Sequence, residues 1–266
     1  MPWTIERKHD HVAVVTMNTN KVNAQNPTFF ADLHAAFDLL ETEFDDCGVV
    51  LTGTGNVFSA GLDLDHHFAM YARRNLKEID AWFAAYRATN LRLFNYSRPT
   101  VAAINGHAYA GGFITAIVCD YRIAKEGALQ FALNEVPIGI PMPAVYCEMI
   151  KYAIGTQAAS EFTLFGQMYD LEAASRMGVV QKTVTPDQLL NAAVAWAAHV
   201  TPDCYPAYSF SKRALQAATM TAIDTAARLD RDWLSRGMSD PKSLRANERR
   251  YRELKGREIT WPPPTE

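Results

Sequence analysis

Apolar and polar positions alternate through "TIERKHDHVAVVTMN" (4–18), which predicts two short strands. The period then lengthens. Phe29, Phe30, Leu33, Phe37, Leu40 and Phe44 recur at helical spacing behind Asn26-Pro27, an N-cap followed by a first-turn proline. They predict a helix from about 27 to 45 with one buried stripe. "CGVVLTG" (47–53) ends that helix and starts a buried strand. "IDAWFAAYRATNLRLFNYS" (79–97) reads as a second amphipathic helix, stopped before Arg98-Pro99. "TVAAI" (100–104) predicts a strand, "NGHAYAGG" (105–112) a turn of small residues, and "GFITAIVC" (112–119) a buried helix, apolar nearly all round. "DYRIA" (120–124) and "LQFAL" (129–133) are strands again.

From about residue 143 the pattern turns helical, in "AVYCEMIKYAIG", "TQAASEFTLFG" and "LEAASRMG", with Pro186, Pro202 and Pro206 punctuating further helices. The order is strand-strand-helix and then strand-helix-strand units. It predicts an α/β domain with mixed sheet layers over 1–200, followed by a helical region over 201–266 that ends in the basic stretch "LRANERRYRELKGR".

Composition narrows the function classes. Hydrophobic residues make up 48% of the 266 and charged residues 21%, a globular balance with ample material for a core. The net charge of -3 gives no electrostatic case for nucleic acid or an anionic membrane surface. No apolar run approaches the roughly 18 residues of a membrane span. Cys47, Cys119, Cys147 and Cys204 form no CxxC pair and read as buried free thiols in a reducing compartment. "MPWTIERKHDH" has no apolar signal core, and "WPPPTE" carries neither a lipidation nor a peroxisomal signal, so cytoplasm is the expected location.

Two segments join a strand, a small-residue turn and a helix start: "VFSAGLDL" (57–64) and "NGHAYAGGF" (105–113). Helix starts leave N–H groups unpaired, and glycine lets a ligand approach the backbone closely. Neither has GxGxxG or GK[ST] spacing, so a nucleotide loop is excluded. Either alone would be explained by tight helix–sheet packing. Two N–H donors converging on one oxygen would make an oxyanion hole, where one lost donor costs about 3 kcal/mol of transition-state stabilisation. A third segment, "LQFALNEVPIGIPMPAV" (129–145), holds a single carboxylate, Glu135, in an apolar run.

With these blocks the sequence resembles the enoyl-CoA hydratase/isomerase (crotonase) superfamily. The blocks are "NKVNA", "VVLTGTGNVFSAGLDL", "RPTVAAINGHAYAGGFITAIVCDYRIA", "LNEVPIG" and "AASRMGVV", in matching order and spacing to about residue 185. The resemblance implies a spiral of ββα units and a C-terminal helical region that helps form a homo-trimer, or a hexamer as a dimer of trimers. It implies an acyl-CoA thioester substrate and no separate cofactor, coenzyme A being part of the substrate. By position it assigns the oxyanion-hole N–H groups to Ala60 and Gly111, and lines the CoA site with Ala60, Asp63 and Leu64. Lys21 and the C-terminal arginines are candidates for the CoA phosphates.

The resemblance alone leaves the reaction open, and side chains decide it. Where hydratases of the family carry a first glutamate, this chain has Ile114; their second glutamate falls on Glu135. Isoleucine can neither deprotonate water nor deliver a proton. The extra aspartate of dienoyl-CoA isomerases falls on Pro143, and residues 136 to 147 hold no aspartate nucleophile of the dehalogenase kind. What remains, "FSAGLDL", "INGxxxAGG" and "LNE", is most like the mitochondrial-type Δ3,Δ2-enoyl-CoA isomerases, whose sole acid/base is that glutamate. The expectation is an isomerase in fatty acid β-oxidation with Glu135 as proton shuttle in a dry pocket. A hydratase or other lyase using Glu135 alone is the first alternative. A non-catalytic acyl-CoA- or RNA-binding scaffold is the second, although no lysine-rich helix stands out.

Other residues read as structural. In "DLDHH", Asp63, Asp65, His66 and His67 lack HExxH spacing, and neighbouring helical histidines diverge by about 100°, so no metal site is expected. His66 and His67 are expected to line or cover the acyl-CoA entrance, and His107 to pack or cap. Trp82, Phe83, Tyr86 and Phe94 have core spacing.

Overall fold

The computed structural model describes residues 3–256; "WPPPTE" and Arg257 of the basic stretch lie outside the described residues. The chain opens with the antiparallel strands β1 (Thr4–His9) and β2 (Val12–Met17). Asn26 then accepts from the Phe29 N–H and starts α1 (Pro27–Thr42) as the sequence pattern requires. Strands β3 (Gly48–Gly53) and β4 (Val57–Ser59) lead into α2 (Leu64–Ala72) and α3 (Leu76–Phe94), the latter capped by Asn75. Strands β5 (Thr100–Ile104) and β6 (His107–Tyr109) precede the short α4 (Gly111–Ile117), and β7 (Tyr121–Lys125) and β8 (Gln130–Ala132) follow it. Beyond a 3-10 turn at Val136–Ile138 come α5 (Ala144–Phe165), β9 (Met168–Asp170), α6 (Leu171–Arg176), β10 (Lys182–Val184) and α7 (Leu189–Ala197). Two long helices, α8 (Tyr205–Ser239) and α9 (Pro241–Lys255), end the described chain.

The strands deal themselves alternately into two sheets. One has the order β1-β2-β3-β5-β7-β10, the other β4-β6-β8-β9. Each passage of β3–β4, β5–β6 and β7–β8 adds one parallel strand to each sheet, so the chain advances as a spiral of ββα units. The expected α/β spiral with a helical C-terminal region is therefore the observed fold. The central strands are buried on both faces, as parallel strands under helices must be. Val12 and Val14 face α7 with Val50, Val101 and Ile123, while Ala13, Val15 and Met17 face the main core.

Three departures from the sequence reading have local causes. The turn "NGHAYAGG" contains β6, and the helical stretch beyond 143 contains β9 and β10; strands of three residues are too short to show a period. The two helices expected over 144–166 run as one element, broken in φ/ψ at Gly155 (φ 78°, ψ 163°). The four thiols are free, but Cys147 is half-buried and Cys204 exposed rather than buried. No helix of the described residues is long and apolar enough to cross a membrane.

Candidate active site

The turns after β4 and β6 lie against each other because both are built from residues without bulk. Gly61 sits at φ +80°, and a Cβ there would stand 2.5 Å from the Tyr109 carbonyl oxygen and 2.9 Å from the Gly111 nitrogen. A Cβ on Gly112 would fall 2.1 Å from the Ser59 carbonyl oxygen. Ala110 enters α4 at φ 48°, a strained value for a residue with a side chain, and its N–H is held by Ala132 O at 2.8 Å.

The amides of these turns divide into engaged and vacant ones. Ala60 was the expected donor, but its N–H donates to Val22 O at 2.9 Å, so the structure corrects that assignment. The Gly61 N–H donates to Ser59 Oγ at 3.2 Å. A parallel bridge then pairs Leu62 with Gln25: Gln25 N donates to Gly61 O at 2.7 Å and Asp63 N to Gln25 O at 2.9 Å. In such a bridge the intervening residue turns its own N–H away, and the Leu62 amide has no partner among the described residues. Gly111, the buried first residue of α4, likewise has an amide without a described partner, as the first turn of a helix leaves it. Leu62 and Gly111 are thus among the vacant amides, one on each turn.

These turns wall a cavity of about 300 Å³, whose lining includes Ala60, Leu62, Leu64, Ala110, Glu135 and Ile140. Glu135 is 6% exposed, and its Oε2 has no hydrogen-bond partner. Burial pushes its carboxyl up to about 7, because the ionised form loses its hydration. Tyr71 and Tyr86 feel it: burial first, then the nearby Glu135 charge, push both phenols well up. The position of the absent second glutamate, Ile114, is a buried core residue.

The remaining sequence candidates divide. Leu64 lines the cavity. Asp63 is committed to folding: its Oδ1 caps α2 through the Asp65 and His66 N–H groups at 3.1 and 3.3 Å, and its Oδ2 accepts from Asn26 at 3.2 Å. His107 Nδ1 accepts from the Gln130 N–H at 3.1 Å, the expected structural role. Trp82, Phe83, Tyr86 and Phe94 are buried. Lys21 is exposed, whereas Arg250 and Leu254 of α9 close one side of the cavity. Asp65 of α2 accepts from Tyr251 at 2.7 Å and Lys255 at 3.0 Å, which latches α9 over the site.

His67, expected near an entrance, is instead deep in the wall. It is 1% exposed, shares the cavity with Glu135, and has both ring nitrogens unpartnered. Burial pushes its imidazole down to about 3, so it is neutral near pH 7. A second cavity, of about 320 Å³, holds Asp120, Tyr208 and Lys212. There Tyr208 and Lys212 both donate to Asp120, at 2.8 and 2.9 Å, which leaves Asp120 tied up within the fold.

A buried carboxylate, Glu135, thus shares an apolar cavity with the turns that carry the unpaired Leu62 and Gly111 amides. Comparisons with known proteins identify the family. Residues 7–257 match the enoyl-CoA hydratase/isomerase family, and the chain belongs to it. It is 30% identical over 254 residues to human mitochondrial enoyl-CoA delta isomerase 1, covering 92% of this chain and 82% of that protein. It is 31% identical over 224 residues to the short-chain-enoyl-CoA hydratase of Clostridium acetobutylicum, covering 84% of each. The crystal structure of human mitochondrial delta3-delta2-enoyl-CoA isomerase superposes with a TM-score of 0.87 at 26% identity, over 96% of this chain and 99% of that one. The chain is an enzyme of this crotonase-type family of acyl-CoA metabolism.

Proposed function

We propose that the protein moves a double bond of an acyl-CoA thioester from the 3 to the 2-trans position. The observation that carries this reading is Glu135: buried, with its Oε2 unpartnered, and the one carboxylate among the described residues lining the cavity. The Glu135 carboxylate takes a proton from the α-carbon, and the electron pair moves onto the thioester oxygen as a dienolate. The N–H groups of Leu62 and Gly111 stabilise that oxygen most strongly when its charge is fully developed. The carboxylic acid then returns its proton to the γ-carbon, the carbonyl re-forms, and the carboxylate is regenerated. One group serves both steps because the two carbons are two bonds apart on one face of a bent chain. A raised pKa makes Glu135 a stronger base than an exposed glutamate and a ready donor afterwards. His67, neutral and with its pKa near 3, is too weak a base to share the work.

Coenzyme A enters as part of the substrate. In this reading Arg250, which lines the cavity, and the basic residues of α9 meet its phosphates, and the helical region over 201–266 is the trimerisation region.

Hydration is the second reading, since His67 faces the same cavity and could hold a water beside Glu135. Incubation with a 3-enoyl-CoA and, separately, with crotonyl-CoA separates the two. The isomerase converts the first to a 2-enoyl-CoA and leaves the second unhydrated. Rapid loss of enoyl absorbance from crotonyl-CoA would establish a hydratase. A scaffold would turn over neither.

A further inference from the structure

The isomerisation uses Glu135 and two amides, yet the buried wall beside them holds more vacant polar groups. Both nitrogens of His67, the Tyr71 hydroxyl and the Trp82 indole N–H are buried without a hydrogen-bond partner. They form one cluster: the His67 ring lies 4.2 Å from that of Trp82 and 4.8 Å from that of Tyr71, centroid to centroid. Buried polar groups are ordinarily paired, so this concentration needs an explanation; His67 lines the cavity, and Tyr71 and Trp82 pack on its ring. Apolar side chains of similar shape would have packed there without the penalty of unpaired polar atoms. The contrast with the second cavity is direct, since there Asp120 receives Tyr208 and Lys212.

The vacant set is weighted toward donors. A neutral imidazole carries one N–H, the indole carries another, and the phenol adds an O–H. His67 itself lines the cavity, between its apolar walls and the aromatic cluster of Tyr71, Trp82 and Phe83.

We propose that the acyl group taken by this site carries an oxygen function, a hydroxyl or an oxo group, beyond the reacting carbons, and that His67, the member of the cluster that lines the cavity, binds that oxygen. Unsubstituted fatty acyl chains are then the poorer substrates, because they leave the His67 ring buried and unpaired. A site built to hydrogen-bond a substrate oxygen discriminates strongly against the analogue that lacks it. His67 is here a specificity residue; the proton shuttle remains Glu135. The inference rests on the acyl-CoA reading of the cavity but not on the isomerase reaction.

The test compares CoA thioesters of one chain length, unsubstituted or carrying a hydroxyl or an oxo group at successive carbons beyond the γ-carbon. Binding of the saturated thioesters is measured by calorimetry, and turnover of their 3-enoyl forms by appearance of the 2-enoyl product. At least one oxygenated chain should bind, and be used in kcat/KM, about tenfold better than the plain chain, the weight of one hydrogen bond. His67→Phe should erase that preference with a smaller effect on the plain chain, and His67→Gln should restore part of it. Equal or better binding of the plain chain, or a preference indifferent to both variants, overturns the proposal and assigns the cluster to internal water. Should His67→Phe fail to fold, the wild-type comparison and His67→Gln still decide. Binding preference without turnover would refute the isomerase alone.

Discussion

Gly61 and Gly111 approach so closely that a methyl group on the first would stand 2.9 Å from the amide nitrogen of the second. Neither turn can be displaced without moving the other, and the vacant amides of Leu62 and Gly111 ride on this contact. Gly61→Ala adds a backbone clash at a positive φ and should lower kcat/KM at least about a hundredfold, the weight of one misplaced oxyanion donor. Steady-state kinetics with a 3-enoyl-CoA check it, with circular dichroism reporting whether the fold survives.

Glu135→Gln keeps the shape of the side chain and removes its ability to accept a proton. Turnover should fall about 10²- to 10⁴-fold, the usual weight of a positioned acid–base group. Affinity for a saturated acyl-CoA should change little when measured by calorimetry. Unchanged turnover would remove Glu135 from the mechanism.

The raised pKa of Glu135 sets a pH profile. The free enzyme must hold the carboxylate ionised to take the α-proton. With the group at about 7, kcat/KM should fall progressively as pH drops below 7, whereas an exposed glutamate would stay active to about pH 4.5. A rate profile flat from pH 5 to 8 would contradict the buried position.

The same group opposes folding when it is charged. Its folded pKa lies above the ordinary 4.5, so the native state binds the proton more tightly than the unfolded chain does. Stability from this group is therefore lost as pH rises from 4.5 through 7. Glu135→Gln should be more stable than the wild type by about 3 kcal/mol at pH 8, with the gap closing toward pH 4.5. Urea unfolding of both proteins at the two pH values tests this.

Asp120 joins the C-terminal region to the main sheet. It accepts from the Thr100 N–H and hydroxyl at 2.9 and 2.8 Å, and from Tyr208 and Lys212 of α8 at 2.8 and 2.9 Å. Asp120→Asn leaves a buried ammonium without its counter-charge and should cost about 3 kcal/mol in urea unfolding; adding Lys212→Met should recover part of that loss.

Much of this was legible in the chain because it is local. Asn26-Pro27 announces α1, and the small residues of "SAGLDL" and "YAGGF" announce two turns whose close contact no side chain would allow. Glu135 stood out as one carboxylate in an apolar run, and the replacement of the other family glutamate by Ile114 needed only the alignment of short motifs.

The sequence by itself determined the α/β order of elements, the turns and the lone acid, since each depends on residues within a few positions of one another, while the spiral came from the resemblance of whole blocks. Only the tertiary structure decided which amides are vacant, because Ala60 loses its N–H to Val22 and Leu62 keeps its own through a bridge to Gln25. It alone buried His67 in the wall of the cavity that holds Glu135 and folded α9 back so that Arg250 and Leu254 close it. The physical reason is common to all of these. A hydrogen-bond partner, a desolvated ring and a cavity wall are supplied by segments distant in sequence, and no local pattern encodes which segments will meet.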